Sequence, residues 1–527
     1  MTGTTSPGRR RPRHRAARAV SAVALALAGA LSLGTAPTPA SAAPARPGAD
    51  PLARYHHQHL HWKSCLLGPD DATGRELEQA GAQCADVTVP LDYDRPDGRT
   101  LTVAISRIRG TDTAHRVGAL LLNSGGPGGP TLGDPPFVRR AMREVAARYD
   151  VVGVDPRFVG RSTPLDCRWS TGSMIRGAGT DRAGFEREVR FAADLARSCR
   201  THAGDLLPYS STRNTARDMD VIRAALGERR ISYLGYSYGS YLGQVYATMF
   251  PGRTDRVVLD GVIDPARYNP RLLRDAEDAN RHALRDWADW AAAHDAAYGL
   301  GRTRAAVLAT VEATRSAAAR TPLRVGGYRV DDHDLPVIVF NGLSQDNPTA
   351  YGDFAAGVRD LRRAAEGRTV TTPSPWLAST LEFALTGHGS GYGSAQASIL
   401  CGDVPAPRDP ETYWRDLRRA GDRLFAPVTR NINACAFWDP PREHPTAVRA
   451  DLPALLVNAT GDPRTTYPGA RAVRRDWPSS RLVTLRDADQ HAVYGVYGSP
   501  CVDATVNAYL ATGRLPATDV DCPRPTP

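Results

Sequence analysis

Ile231-Ser232-Tyr233-Leu234-Gly235-Tyr236-Ser237-Tyr238-Gly239 is a mostly apolar run that ends in G-x-S-x-G. Ile231 to Leu234 suits a buried strand, and Ser240 to Phe250 can continue as a helix. A serine at so sharp a strand-to-helix turn stands above the sheet on strained backbone, and glycines two residues before and after it relieve the crowding. The helix that follows turns its positive end toward a developing oxyanion. Five residues of this kind recur by chance, so the motif gains weight from the strand before it and the helix after it. The reading predicts Ser237 as a nucleophile and the Tyr238 N–H as an oxyanion donor; a buried turn serine is the alternative.

Outward from this turn, further short apolar runs lie at Leu101 to Ile105, Val117 to Leu122, Val151 to Val154 and Val257 to Leu259. The first two are close enough for a hairpin, whereas helical periodicity at Phe137 to Ala147 and Thr215 to Leu226 separates later ones, as parallel strands require. From about Pro265 to Arg449 the pattern is mostly helical, and strand signals return at Ala454 to Asn458 and Leu482 to Leu485. This is the outline of an α/β-hydrolase fold with a mostly parallel central sheet and a large, mainly helical cap inserted before the last strands. The predicted divisions are a signal peptide at 1–42, a flexible arm at 43–60, core at 61–264, cap at 265–449 and core again at 450–527.

An oxyanion hole needs a second backbone donor. Leu120-Leu121-Leu122 leads into Asn123-Ser124-Gly125-Gly126-Pro127-Gly128-Gly129-Pro130, where main chain can approach a reacting carbonyl closely, and Gly126 is the expected donor. The run lacks the lysine and Ser/Thr of a nucleotide loop. The base should be a histidine after a late strand, which His491 satisfies, and Asp462 in Thr460-Gly461-Asp462-Pro463 follows the preceding strand. Ser, Asp, His is the chain order of this fold. Asp260 and Asp264 compete for the acid's role, while Asp487 and Asp489 read as solvated or turn-forming residues.

Six arginines between Arg9 and Arg18 precede an apolar run from Ala19 to Leu33 and a small-residue site at Ala40-Ser41-Ala42, the form of a secretory leader. The run, about 15 residues, falls short of a spanning helix. The mature protein is therefore expected outside the cell without stable membrane insertion. Losing six of the 66 basic residues and none of the 56 acidic ones lowers the charge from +10 to +4, which gives no reason to expect a nucleic-acid partner. Four histidines at His56, His57, His59 and His61 read as part of a polar arm rather than a metal site. The eight cysteines are expected to pair with their neighbours in sequence: Cys65 with Cys84, Cys167 with Cys199, Cys401 with Cys435 and Cys501 with Cys522.

Taken together, Gly125-Gly126-Pro127-Gly128, Asp155-Pro156-Arg157-Phe158-Val159-Gly160, the Gly235 to Gly239 elbow and the surroundings of Asp462 and His491 resemble the secreted tripeptidyl aminopeptidase and proline iminopeptidase group of serine peptidases. Ser124 stands where proline iminopeptidases usually carry a histidine, and one residue is added between Arg157 and Gly160, which favours the tripeptidyl branch. The resemblance implies an exopeptidase that releases short fragments from peptide or protein N-termini through an acyl-enzyme, with no cofactor. It also places Cys401-Gly402-Asp403 near the cleft, so Asp403 is the expected partner of the substrate ammonium, with Asp331, Asp332 and Asp334 next in line. Trp376 and Trp438 are candidate subsite walls. A secreted carboxylesterase, and less readily a non-catalytic binding protein, would share the same scaffold.

Overall fold

The computed structural model describes residues 50–525, so the expected leader and the first part of the expected arm lie outside the described residues. Nine strands form one sheet: β1 (Gln83–Pro90), β2 (Thr100–Ile108), β3 (Gly118–Asn123), β4 (Tyr149–Val154), β5 (Ile231–Tyr236), β6 (Thr254–Asp260), and, beyond a small cap hairpin of β7 (Leu323–Val325) and β8 (Tyr328–Val330), β9 (Leu455–Ala459), β10 (Arg481–Leu485) and β11 (Val520–Cys522). Their spatial order is β1-β2-β4-β3-β5-β6-β9-β10-β11. Only β2 runs against its neighbours; the pairs from β4 through β3 and onward to β11 are parallel. Central strands β3 and β5 are buried along their full length, as expected of strands covered on both faces.

The hairpin expected between the Leu101 and Val117 runs does not form. β2 pairs instead with β1 and β4, because β3 is taken on both edges by the parallel strands β4 and β5. Residues 50–60 also depart from the loose arm expected of them. A single turn at Ala53–His56 buries Tyr55, and Leu60 joins the same core.

Helices α1 (Pro135–Met142), α2 (Arg182–Ala203), α3 (Thr212–Ala225) and α4 (Tyr238–Met249) connect the early strands. Between β6 and β9 the cap contributes α5 (Glu277–Ala293), α6 (Arg304–Arg320), α7 (Leu335–Gly342), α8 (Pro348–Ala365), α9 (Pro375–Leu385), α10 (Ser390–Asp403) and α11 (Pro410–Ala420). It has its own apolar centre, in which Trp287 packs on Phe354 and Phe354 on Trp376. Trp376 thus serves cap packing, and Trp438 is buried against the main core; neither lines the cavity above the sheet.

All eight cysteines are paired, Cys65–Cys84, Cys167–Cys199, Cys401–Cys435 and Cys501–Cys522. Arg157 and Asp218 form an ion pair with no solvent exposure to speak of, at 2.6 Å. The Arg157 guanidinium also donates to the carbonyls of Pro90, Leu91 and Tyr209, so its donors are satisfied where isolated charge would be costly.

Candidate active site

Ser237 sits between β5 and α4 with φ 56° and ψ −122°, a conformation a side chain adopts only under constraint. Its own N–H is held by the Asp260 carbonyl at 2.8 Å. Close packing around the turn explains two of the glycines. A Cβ on Gly239 would lie 2.5 Å from the Asn123 carbonyl oxygen, and one on Gly125, whose φ is +93°, would lie 2.9 Å from the Ser237 Cβ. Neither the Gly126 nor the Tyr238 N–H is drawn into a hydrogen bond among the described residues, and both residues line the cavity over Ser237.

The glycine loop is braced from behind. Asp155, in the segment after β4, accepts the N–H groups of Thr131 at 2.8 Å, Leu132 at 2.9 Å and Arg161 at 2.8 Å. Ser124 donates its hydroxyl to Asp134, whose carboxyl burial pushes up to about 6.

His491 lines the same cavity as Ser237. Its Nδ1 lies 3.0 and 3.1 Å from the two oxygens of Asp462. Asp462 in turn accepts the N–H groups of Arg464 and Thr465, at 2.8 and 2.9 Å, and the Thr465 hydroxyl at 2.7 Å. A carboxylate so saturated with donors is fixed in place. Thr465 was not singled out in the sequence, although its position three residues after an aspartate is a common turn signal. The main chain of His491 is tied to the cap, donating to the Ser344 carbonyl at 3.0 Å.

Asp260 is not a second acid for the imidazole. It accepts the N–H groups of Val493 and Tyr494, bracing the chain just past His491, and burial pushes its carboxyl up to about 7. Asp264 turns back on the N–H of Ala266 at 2.9 Å.

The cavity has a volume of about 400 Å³, with apolar walls from Ile263, Leu272, Val337, Phe340 and Phe383. No carboxylate lines it among the described residues; its charged groups are Arg176 and Arg464. Asp403, expected to meet a substrate ammonium, lies behind the wall. It accepts the Thr212 N–H at 2.7 Å, the Thr212 hydroxyl at 2.5 Å and the Tyr268 hydroxyl at 2.9 Å. Thr212 also bonds the Tyr238 hydroxyl at 2.6 Å. Tyr238 and Tyr268 face the cavity, while Asp403 holds them from outside it, and burial pushes its carboxyl up to about 6.

The second acidic group is spent as well. Asp334 pairs with Arg176 at 3.0 Å and Asp332 accepts from Thr180, so Asp331, Asp332 and Asp334 do not reach the cavity. Arg464 has no carboxylate partner among the described residues. It donates to Asn280 at 3.0 Å and to the Phe340 carbonyl, lies 3.7 Å over the Phe340 ring, and burial lowers it to about 10.

Comparison with known proteins gives the family. Residues 422–522, which contain Asp462 and His491, match the family described as TAP-like protein. A tripeptidyl aminopeptidase of Streptomyces lividans is 36% identical over 511 residues, covering 92% of this chain and 90% of that protein. The serine protease Hip1 of Mycobacterium tuberculosis is 30% identical over 475 residues, covering 84% and 87%. Carboxylesterase B of the same organism is 30% identical over 508 residues, covering 92% and 94%. The chain belongs to the tripeptidyl-aminopeptidase-like family of serine hydrolases, built on the α/β-hydrolase fold.

Proposed function

We propose that the protein is an extracellular serine exopeptidase that removes short fragments, tripeptides first among them, from the N-termini of peptides. The observation that carries the reading is that Ser237 and His491 line one cavity, with the donor-saturated Asp462 behind the imidazole at 3.0 Å, in a chain that matches a tripeptidyl aminopeptidase along nine-tenths of its length. Four disulfides and the leader-like N-terminus support export to an oxidising compartment. No helix among the described residues is long and apolar enough to cross a membrane.

In this reading His491 takes the Ser237 proton as the hydroxyl attacks the scissile carbonyl. Asp462, bonded to Nδ1, fixes the tautomer and stabilises the imidazolium without being protonated. The N–H groups of Gly126 and Tyr238 receive the oxyanion. His491 then protonates the departing amine, and a water deprotonated by His491 frees the fragment from Ser237.

One observation favours a second reading. The cavity offers Arg176 and Arg464 but no carboxylate to a substrate ammonium, and a relative bears the name carboxylesterase. In the peptidase reading the ammonium is met by neutral oxygens, with Asn431, Asn433 and Gln396 in the lining. The test is a tripeptidyl chromogenic amide offered with a free or an acetylated N-terminus to the purified protein and to Ser237→Ala. Release of an intact tripeptide, lost on acetylation and in the variant, is the expected result. Equal turnover of blocked and free peptides refutes the aminopeptidase reading, and ester cleavage without amide cleavage favours the esterase.

A further inference from the structure

Asp489, two residues before His491, is not the solvated loop residue its sequence suggests. It is 3% exposed, and its Oδ2 is buried without a hydrogen-bond partner among the described residues. Two cap carboxylates face it. Asp346, in the loop after α7, accepts the Asp489 N–H at 2.9 Å through Oδ2, is 2% exposed, and leaves its own Oδ1 buried and unpartnered. Asp286 lies on α5, one turn beyond His282, and donor atoms of His282, Asp286 and Asp489 all fall within 4.8 Å of one another. The bordering Tyr351 hydroxyl is also buried without a partner.

Three carboxyl groups crowd this seam. Three carboxylates are opposed by Arg524, which reaches Asp346 Oδ2 at 3.1 Å, while His282 is neutral unless protonated. Burial first, and then the neighbouring Asp286 and Asp346 carboxylates, push the Asp489 carboxyl up to about 8, because acidic groups are packed here with too little opposing charge. We propose that His282, Asp286 and Asp489 hold a divalent cation, with Asp346 beside them, at the junction of the cap and the loop that carries His491. A doubly charged ion balances the three carboxylates and Arg524 and gives the orphaned Asp489 oxygen a partner. Two carboxylates and one imidazole, without thiolate, form a donor set for manganese or zinc; calcium takes oxygens alone and would leave His282 out. The bound ion fastens α5 of the cap to the loop of the base, in parallel with the His491–Ser344 main-chain bond.

The full-length secreted protein, stripped with EDTA and dialysed into metal-free buffer, is titrated with Mn²⁺, Zn²⁺ and Ca²⁺ by calorimetry, with Mn²⁺ also followed by its EPR signal. One equivalent of Mn²⁺ or Zn²⁺ per chain is expected, bound at least about tenfold more weakly in Asp286→Asn and in His282→Ala. Both substitutions lie on a partly exposed helix face, so folding is retained. Asp489→Asn should abolish binding, and added ion should raise the melting temperature of the wild type but not of Asp286→Asn. The proposal is overturned if no ion binds, if affinity is unchanged in Asp286→Asn, or if only Ca²⁺ binds and His282→Ala is without effect. A carboxyl pair that simply shares a proton would give the first of these results.

Discussion

Replacing Asp403 by Asn tests whether this residue belongs to the wall or to the substrate site. Its carboxyl titrates at about 6 in the folded protein, against 3.8 for an unperturbed aspartate, with burial as the largest cause. A folded pKa above the unfolded one means that the native state binds the extra proton between those values. Stability is therefore full below about pH 4 and falls as pH rises through 6. A displacement of about two units corresponds to about 3 kcal/mol. For a chain of this size that is about 3 °C in Tm. The asparagine of the variant cannot ionise, yet it keeps an acceptor for the Thr212 N–H at the start of α3. The difference in Tm between wild type and Asp403→Asn, followed by scanning calorimetry from pH 4 to pH 7, should shift by about 3 °C in favour of the variant. Subtraction removes other carboxyls that titrate in the window, such as Asp134 at about 6. Parallel curves would refute the buried-anchor account. Kinetics supply the second half of the test: because the carboxylate stands behind Tyr238 and Tyr268, turnover of free and acetylated substrates should change by the same factor. Selective loss on free peptides would instead put Asp403 in contact with the ammonium.

Asp462→Asn should fold normally and lose about four orders of magnitude in kcat, as expected when an imidazole is left in the wrong tautomer, whereas Asp264→Asn should turn over like wild type on the same substrate. Comparable losses in both would move the acid elsewhere. Substituting Ser for both Cys401 and Cys435 opens a loop of 34 residues and should cost about 3–4 kcal/mol, read as a lower urea midpoint with the other three bonds intact by peptide mapping. An unchanged midpoint would show that this bond does not contribute.

How far the sequence could be read depended on how local each signal was. The elbow was legible because strand, glycines and helix follow one another without a break, and Asp462 and His491 because each follows a strongly apolar strand. The pairing of β2 was not, since its apolar run is equally compatible with a hairpin to β3 and with the observed antiparallel pairing to β1 and β4. Asp403 was assigned to the right region and the wrong side of a wall. It is the last residue of α10, and whether its carboxylate points into a cavity or toward the start of α3 is decided by Thr212 and Tyr268, 191 and 135 residues away. Asp489 misled for a related reason: a polar loop residue looks solvated until the cap closes over it.

The disulfide pattern has a consequence for how the chain matures. In order of synthesis, the native partner of each odd-numbered cysteine is the next one to appear, because the bonds join the first to the second, the third to the fourth, and so on through the eighth. A polypeptide threaded amino terminus first into an oxidising space thus presents one unpaired thiol and then its correct mate before any competitor has emerged. Oxidation on first encounter yields the native set out of 105 possible connectivities without reshuffling. The bond that closes the end of the cap obeys the same timing: Cys401 has only to wait for Cys435, 34 residues later, across a stretch that holds no other thiol.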